Sequence, residues 1–345
     1  MTRWRLGLGA LGVVALAAAG GFAAVIESGV TSGTRQQPVA GRGRPARHRA
    51  ISSPSRKSAD AFAVGERVIT FVDHSRTVKY PGRPPAARTL VTVIRYPSVG
   101  RPGELDLHDA SADRAAGPYP LIVFGHGFAT TPAAYYRLLR AWAAAGFVVA
   151  APVFPGENAH APGGPDESDI VNQPGDMSFV ITRMLRLSAA SQGPLAGLID
   201  PSEIAVAGQS DGGESALAVA YDRGYLDTRV RAAVILSGAR IPSAAALRFG
   251  SDQPALLAAQ GTADTTDPPS NTYAFFALAH RPKFLLTLLG AQHLTPYTVR
   301  QPQLGVVERV SVAFLGRYLQ QRSDGIGLMQ RYGDVPGIAA LSADP

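Results

Sequence analysis

The stretch Ile204-Ala-Val-Ala-Gly-Gln-Ser-Asp-Gly-Gly213 decides the fold of this chain of 345 residues. Its first four residues are apolar and predict a buried strand, and residues 214–221, which follow it, have the composition of a helix. Between strand and helix, the pattern G-x-S-x-G around Ser210 is typical of a nucleophile elbow. Gly208 and Gly212 would allow the sharp turn that projects the serine hydroxyl above a sheet edge. Taken alone, the same pattern also fits an ordinary glycine-rich loop.

Apolar and β-branched runs alternate with helical patterns through the rest of the chain. Strands are predicted at residues 68–72, 89–94, 119–125, 147–151, 204–207, 231–236, 254–259 and 282–289. Helices are predicted at residues 132–145, 174–187, 214–221 and 304–319. This alternation predicts an α/β fold with a mostly parallel central sheet and helices on both faces. The first two strands are expected to form an antiparallel edge of that sheet.

Composition and charge describe a globular protein with a basic N-terminal segment. Hydrophobic residues make up 46% of the chain and charged residues 17%, which leaves ample material for a core. The formal charge of +7 belongs to residues 1–60, which hold nine basic and two acidic residues. The remainder is neutral overall, so we predict no nucleic-acid partner. The absence of cysteine excludes disulfides, thiolate metal sites and a cysteine nucleophile.

The N-terminal segment predicts export. Arg3 and Arg5 precede residues 6–26, which lack any charged or polar side chain, so residues 1–30 are expected to be a signal peptide or a membrane anchor. Cleavage and retention both stay open, and with them association with the membrane or cell envelope. Residues 31–60 are rich in Pro, Gly, Ser and Arg and predict a basic, disordered linker. We expect the catalytic domain at 61–325 and a C-terminal tail at 326–345.

A glycine-containing loop is predicted to supply one half of an oxyanion hole. Gly125-His-Gly-Phe128 follows a buried strand and resembles the oxyanion loop of serine hydrolases. The N–H of Phe128 and that of Asp211, the residue after the serine, would stabilise a developing negative oxygen. His126 is expected to brace the loop instead of moving protons. The Asp211 side chain is expected to point away from the pocket and cap the following helix.

Two later loops are predicted to complete the catalytic group. In Gln260-Gly-Thr-Ala-Asp-Thr-Thr-Asp267, Asp264 is the favoured acid and Asp267 is the alternative, although Asp267 also suits an Asx-turn before a proline. His293 follows the last predicted strand and would take the proton of Ser210. Serine, aspartate and histidine then occur in the order that α/β-hydrolases use.

Residues 64–322 resemble an α/β-hydrolase. The motifs Phe124-Gly-His-Gly-Phe128, Asn172-Gln-Pro-Gly-Asp-Met-Ser-Phe179 and Gly208-Gln-Ser-Asp-Gly212 are similar to the branch that holds platelet-activating-factor acetylhydrolases, chlorophyllases and bacterial polyester hydrolases. The resemblance implies cleavage of carboxylic esters through an acyl-enzyme, with a small-molecule or lipid ester as substrate. It implies no cofactor, and we predict no metal site.

The leading hypothesis is therefore an exported serine esterase acting on an uncharged, lipophilic ester. Acyl transfer to an envelope acceptor and a catalytically silent binding protein remain alternatives, because the same residues would serve the first and the fold alone would serve the second. Residues 154–175 are expected to form part of the pocket rim, with an ordinary surface loop as the alternative. Asp176 is expected to be a charge partner at a helix start.

Overall fold

The computed structural model of the chain describes residues 61–238, 247, 249 and 253–345. Within these residues, ten strands form one sheet in the order β10-β9-β8-β7-β6-β4-β5-β2-β1-β3. The strands are β1 Ala63–Val78, β2 Ala86–Ser98, β3 Leu107–His108, β4 Tyr119–Gly125, β5 Val148–Pro152, β6 Ile199–Ser210, β7 Val230–Gly238, β8 Ala255–Gly261, β9 Lys283–Leu288 and β10 Ala339–Asp344.

The six strands from β5 to β9 in this sheet pair in parallel, and the flanking pairs are largely antiparallel. β1 pairs with β2 and β2 with β5 in antiparallel register, β3 adds a two-residue parallel pairing to β1, and β10 pairs antiparallel with β9. The predicted fold, a mostly parallel sheet with an antiparallel N-terminal edge, is confirmed. The parallel arrangement brings the carboxyl ends of β4, β6, β8 and β9 to one edge of the sheet.

Helices cover both faces of the sheet. They are α1 Tyr136–Ala144, α2 Gln173–Ala189, α3 Asp211–Tyr221, α4 Pro269–Leu278, α5 Thr295–Thr298, α6 Gln303–Leu319 and α7 Gly325–Gly333, with 3₁₀ turns at Pro132–Tyr135 and Glu167–Asn172. α1, α6 and α7 contribute to one hydrophobic core, and α2, α3 and α4 contribute to the other.

Alternating side chains of the central strands explain why these strands read as continuous apolar runs. In β4, Ile122 and Phe124 enter the core under α1 and α6, whereas Leu121 and Val123 enter the core under α2 and α3. All four side chains are fully buried. A strand covered on both faces needs apolar residues at every position, as the sequence of β4 has.

The C-terminal boundary predicted from the sequence is corrected by the structure. The sequence predicts that residues 326–345 form a tail outside the catalytic domain, but 14 of these 20 residues lie in α7 and β10. β10 pairs with β9 over six residues, and Met329 of α7 is fully buried against the core. The domain therefore continues through Asp344.

The predictions for residues 1–30 and 31–60 lie outside the described residues. Among the residues that the structure does describe, none of the helices is long and apolar enough to cross a membrane.

Candidate active site

The loops that follow four parallel strands bring the predicted site residues together. β6 ends at Ser210, the loop after β8 holds Asp264, and the loop after β9 holds His293. Phe128 lies in the loop after β4, on the other side of β6 in the sheet. Residues separated by as many as 165 positions thus meet, because parallel strands end at the same sheet edge.

The turn at Ser210 is strained, as a nucleophile elbow requires. Ser210 has φ 54° and ψ −126°, a backbone conformation that costs a non-glycine residue about 1–3 kcal/mol. The turn is possible because the backbones around it touch. A Cβ atom at Gly208 would overlap the carbonyl group of Gly212, and a Cβ atom at Gly212 would overlap the carbonyl group of Gly125. These glycines are required by the close packing of β6, α3 and β4.

The imidazole of His293 joins the serine to Asp264. Its Nε2 lies 2.9 Å from Ser210 Oγ, and its Nδ1 lies 2.9 Å from Asp264 Oδ2. Burial raises the pKa of Asp264, but the hydrogen bond and charge of His293 outweigh burial and hold this pKa below its ordinary value. An ionised Asp264 can fix the imidazole with its proton on Nδ1, which leaves Nε2 free to accept the serine proton.

The loop around Asp264 holds this carboxyl group in place. Its Oδ1 accepts hydrogen bonds from the amides of Thr266 and Asp267, at 3.0 and 2.9 Å. Gln260 Nε2 donates to Oδ2 at 3.3 Å. The turn built on an aspartate side chain, for which Asp267 was the candidate, is therefore formed by Asp264.

Asp267 contacts the serine instead of the far side of the imidazole. Ser210 Oγ donates to Asp267 Oδ2 at 3.3 Å, and this oxygen lies 3.8 Å from His293 Nε2. Burial raises the pKa of Asp267 to about 6; the charge of His293 opposes this rise, and the carboxyl groups of Asp264 and Asp211 add to it. The serine hydroxyl can thus donate to either of two acceptors.

Two backbone amides are available near the serine. Asp211 is the first residue of α3, so its amide has no acceptor one turn earlier in the helix. Within the part of the chain that the structure describes, the amide of Phe128 donates no hydrogen bond. Both residues line the same pocket as Ser210. This arrangement suits the two amides predicted to hold an oxyanion.

Gln209 connects the loops that carry these groups. Its Nε2 donates to the carbonyl oxygen of His293 at 3.2 Å, and its Oε1 accepts from Tyr135 Oη at 2.7 Å. The amide of Gly127 donates to the same Tyr135 oxygen at 3.2 Å. The loops after β4 and β9 are thereby joined through the residue next to Ser210.

His126 is fully buried and braces its loop. Its Nε2 accepts the amide N–H of Phe154 at 3.0 Å, and its Nδ1 lies 2.9 Å from the carbonyl oxygen of Gly127. Burial lowers the pKa of His126 to about 4, against the smaller effects of Gly127 and Asp211. At neutral pH this ring is a neutral structural link between two loops.

A pocket of about 590 Å³ opens above Ser210. Phe128 lies at its rim with 41% of its surface exposed. The lining includes four carboxyl side chains, those of Glu167, Asp211, Glu214 and Asp267. Among the residues described, no lysine, arginine or histidine belongs to this lining.

The Asp211 side chain lies against the fully buried Glu157, and residue Asp211 also contributes to the pocket lining. The N-cap residue of α3 is Ser210, and its side chain makes no capping hydrogen bond. Asp211 has only 6% of its surface exposed. Position in the first turn of the helix still favours its negative charge.

A buried ion-pair group holds the pocket wall between β5 and α2. Arg88 of β2 is fully buried and donates to both carboxylate oxygens of Asp169 and of Asp176, at 2.6–2.8 Å. Asp169 also accepts the amide N–H of Gly156 at 3.2 Å. Asp169 thereby ties the two ends of the segment 154–172 to each other and to β2. The segment reaches the pocket, as expected for the rim, and Asp176 is a charge partner as predicted.

Several residues of the site were missed from the sequence. Gln209 stands in the serine motif itself, but nothing in its spacing points to the bridge that it forms. Glu214 lies three residues after Asp211, which in a helix predicts the same face; this signal could have located it. Glu157, which lies fully buried beside Asp211, carries no sequence signal.

The described residues contain no group of three or more His, Cys, Asp or Glu side chains suited to hold a metal ion.

Comparisons with known proteins bear on the fold and on the class of enzyme. A family model described as Chlorophyllase matches residues 110–239, which include Phe128 and Ser210 but end before Asp264 and His293. A solved structure of ferulic acid esterase from Streptomyces cinnamoneus matches with a TM-score of 0.57 and 21% sequence identity, covering 79% of this chain and 93% of that chain. Among curated proteins, none matches the sequence significantly.

The class of fold is therefore that of the α/β-hydrolases. The match to the chlorophyllase model confirms the resemblance drawn from the sequence.

Proposed function

We propose that this protein is a serine hydrolase that cleaves carboxylic esters through an acyl-enzyme. The observation that carries the proposal is the chain of contacts from Ser210 Oγ to His293 Nε2 and from His293 Nδ1 to Asp264, each at 2.9 Å. The strained backbone of Ser210 and the two amides beside it support the same reaction.

In the first half-reaction, Ser210 Oγ attacks the ester carbonyl carbon while His293 Nε2 takes the hydroxyl proton. The carbonyl oxygen becomes negative and accepts hydrogen bonds from the amides of Phe128 and Asp211, each worth on the order of 3 kcal/mol. The carbon–oxygen bond to the alcohol then breaks, and His293 gives its proton to the departing alcohol.

In the second half-reaction, water takes the place of the alcohol. His293 accepts a proton from water as the water oxygen attacks the acyl carbon, and the same two amides hold the second oxyanion. The bond to Ser210 Oγ breaks, and the proton returns to the serine as the acid leaves. Asp264 stabilises the imidazolium during both steps.

The test is hydrolysis of 4-nitrophenyl esters with short, medium and long acyl chains by wild type, Ser210→Ala and His293→Ala. Each variant is expected to lose at least about 10³-fold in kcat, because either loss removes the activated nucleophile. A fluorophosphonate should label wild type and leave Ser210→Ala unlabelled. A wild type that neither turns over esters nor reacts with the fluorophosphonate would contradict the proposal.

We also propose that the enzyme is exported. The support is the sequence of residues 1–30, where basic residues precede an uninterrupted apolar stretch. Fractionation of expressing cells, with mass spectrometry of the protein's N-terminus, tests it. Extracytoplasmic protein is the expected result, with the apolar stretch removed if it is a signal peptide or kept if it is an anchor. Full-length protein confined to the cytoplasm would refute export.

A further inference from the structure

The pocket above Ser210 is acidic on several sides. Glu167 comes from the 3₁₀ turn before α2, Asp211 and Glu214 come from α3, and Asp267 comes from the loop after β8. Within the described residues, none of the four forms an ion pair with lysine or arginine, although Asp267 lies 3.8 Å from His293. The positive charge that would balance these groups is not supplied by the pocket wall.

Two of these carboxyl groups are buried without the partners that buried acids need. Asp211 is 6% exposed and Glu214 is 5% exposed. Glu214 lines the pocket and, among the described residues, its carboxyl group makes no hydrogen bond or ion pair. The Asp211 carboxyl group lies beside it, against the fully buried carboxyl group of Glu157. Burying a carboxyl group unpaired is costly, so the wall is poised for a ligand that supplies donors or positive charge.

The crowding of these acids is visible in their protonation. Burial raises the pKa of Glu214 to about 8, and the nearby carboxyl groups of Asp211 and Asp267 add to the rise. Burial and the adjacent Asp211 raise the pKa of Glu157 to about 11. In the free protein, protons bound to Glu214 and Glu157 reduce the repulsion between neighbouring carboxylates. A bound cation would reduce the same repulsion.

We propose that the pocket binds esters that carry a positive charge, an ammonium or quaternary ammonium group within a few bonds of the scissile carbonyl. The exposed ring of Phe128 at the rim offers a cation its aromatic face. The inference rests on the proposed esterase function and names its substrate class. This substrate class differs from the uncharged, lipophilic ester expected from the sequence, because the overall neutral charge of the chain beyond residue 60 does not describe the lining of this pocket.

The cation can belong to the alcohol or to the acyl group, and two pairs of isosteres separate these sources. Acetylthiocholine and S-(3,3-dimethylbutyl) thioacetate differ in the alcohol part only by nitrogen for carbon. The 4-nitrophenyl esters of 4-(trimethylammonio)butanoate and 5,5-dimethylhexanoate differ in the same way in the acyl part. The ratio of kcat/KM within each pair, divided by the ratio of the hydroxide-catalysed rates, isolates recognition of charge from intrinsic reactivity.

With the full chain at pH 8, the cationic member of at least one pair should have a kcat/KM about tenfold higher or more, the size expected from one incompletely screened charge pair. The pair that responds identifies the part of the substrate that enters the acidic pocket. Choline should also inhibit more strongly than 3,3-dimethylbutan-1-ol if the alcohol side responds, which measures binding without turnover of a cationic ester.

Variants assign the preference to the pocket. Glu214→Gln and Asp211→Asn should each bring the ratio within the responding pair about tenfold closer to one, with a smaller effect on the neutral ester. Glu203→Gln is the matched control, since Glu203 lies near the opposite end of β6 and should leave the ratio unchanged. Asp211→Asn keeps the test available if Glu214→Gln does not fold.

Two results would overturn the inference, and they are distinguishable. If neutral esters are hydrolysed in a Ser210-dependent manner but neither cationic ester is preferred, the substrate class is wrong and the esterase function stands. If no ester of either kind is turned over and a fluorophosphonate leaves Ser210 unlabelled, the proposed function fails and the inference fails with it.

Discussion

At the scale of single residues, the Ser210 hydroxyl lies between an imidazole and a second carboxyl group. His293 Nε2 is 2.9 Å away and Asp267 Oδ2 is 3.3 Å away, while Asp264 contacts only the far nitrogen of the ring. The two acids therefore act on different atoms. In the proposed mechanism, Asp264 would set the tautomer of His293 and stabilise its charged form, and Asp267 would change the electrostatic surroundings of the Ser210 hydroxyl.

Exchange of each acid for its amide should separate these roles. Asp264→Asn is expected to lower kcat by about 10³–10⁴-fold, because an amide at His293 Nδ1 no longer fixes the productive tautomer or stabilises the imidazolium. Asp267→Asn is expected to change kcat by less than about tenfold, because it leaves the Ser–His–Asp contacts intact. Steady-state kinetics with 4-nitrophenyl acetate measures both. A larger loss in Asp267→Asn would reverse the assignment.

The sequence could locate some of these residues and not others for a physical reason. Ser210 and His293 each follow a strand that is recognisable from its apolar residues, so their meeting at the sheet edge is predictable. Asp264 and Asp267 share one loop, and spacing alone cannot say which carboxyl group reaches the imidazole. Glu157 lies beside Asp211 only because the chain folds, so no local sequence pattern predicts that contact.

At the scale of elements, the junction of β6 and α3 depends on backbone contact. Gly212→Ala should abolish soluble, active enzyme, because its new Cβ atom overlaps the backbone of Gly125 and His126. Gly327→Ala is the matched control: a Cβ atom there meets nothing within 4 Å, and alanine favours α7 by about 1 kcal/mol. Yield, circular dichroism and Tm of the two variants check this, and a folded, active Gly212→Ala would contradict it.

The ion pair between Arg88 and Asp169, called the clamp below, holds the pocket wall and leads to a separate prediction. Asp169→Asn weakens the paired hydrogen bonds to Arg88, so the segment that carries Glu167 into the pocket should loosen. We expect KM for ester substrates to rise about tenfold, with a smaller fall in kcat, since breaking a buried ion pair costs several kcal/mol. Kinetics and limited proteolysis within residues 154–172 would measure this loosening.

A matched variant distinguishes the clamp from a general effect of losing an ion pair. Asp227→Asn removes a comparable pairing with Arg229, in the connection between α3 and β7 and outside the pocket lining. It should leave KM unchanged. Equal changes of KM in the two variants would mean that the clamp does not position the pocket wall.

Elements whose own sequence has a strong apolar pattern could be predicted. Elements that form only by packing against a neighbouring element could not. β4 and α6 were predicted within one residue of their observed bounds, because their apolar patterns are long and regular. α7 contains three glycines and β10 is Ala-Ala-Leu-Ser-Ala-Asp, so neither has strong intrinsic propensity. α7 forms against α6 and β10 forms on the edge of β9, which is information that a single segment does not carry.

At the scale of the whole molecule, the buried acids couple stability to pH. The folded-state pKa values of Glu214 and Glu157, about 8 and about 11, lie above the ordinary value of 4.5, with burial as the main cause. The native state therefore holds protons that the unfolded chain releases. Their contribution is fully present below pH 4.5 and is lost as pH rises toward the folded-state values.

Thermal unfolding at pH 5 and pH 9 tests this coupling. The Tm of wild type should fall from pH 5 to pH 9. The Tm of Glu157→Gln should fall less, because the glutamine side chain does not ionise at high pH. We expect the difference between the proteins to grow by at least about 3 °C from pH 5 to pH 9. Glu104→Gln, at an exposed surface site, should follow wild type. A parallel response of Glu157→Gln and wild type would show that Glu157 is not the source.

The acidic lining of the pocket has a further consequence for the direction of the reaction. In the proposed reaction, each turnover converts an ester into a carboxylic acid, which ionises at neutral pH beside the carboxyl groups of the pocket lining. When the cation of the substrate belongs to the alcohol, the acid that remains carries only a negative charge, which the carboxyl groups of the pocket repel. Product inhibition by the released acid should be weak, so that turnover continues undiminished where its own end product accumulates.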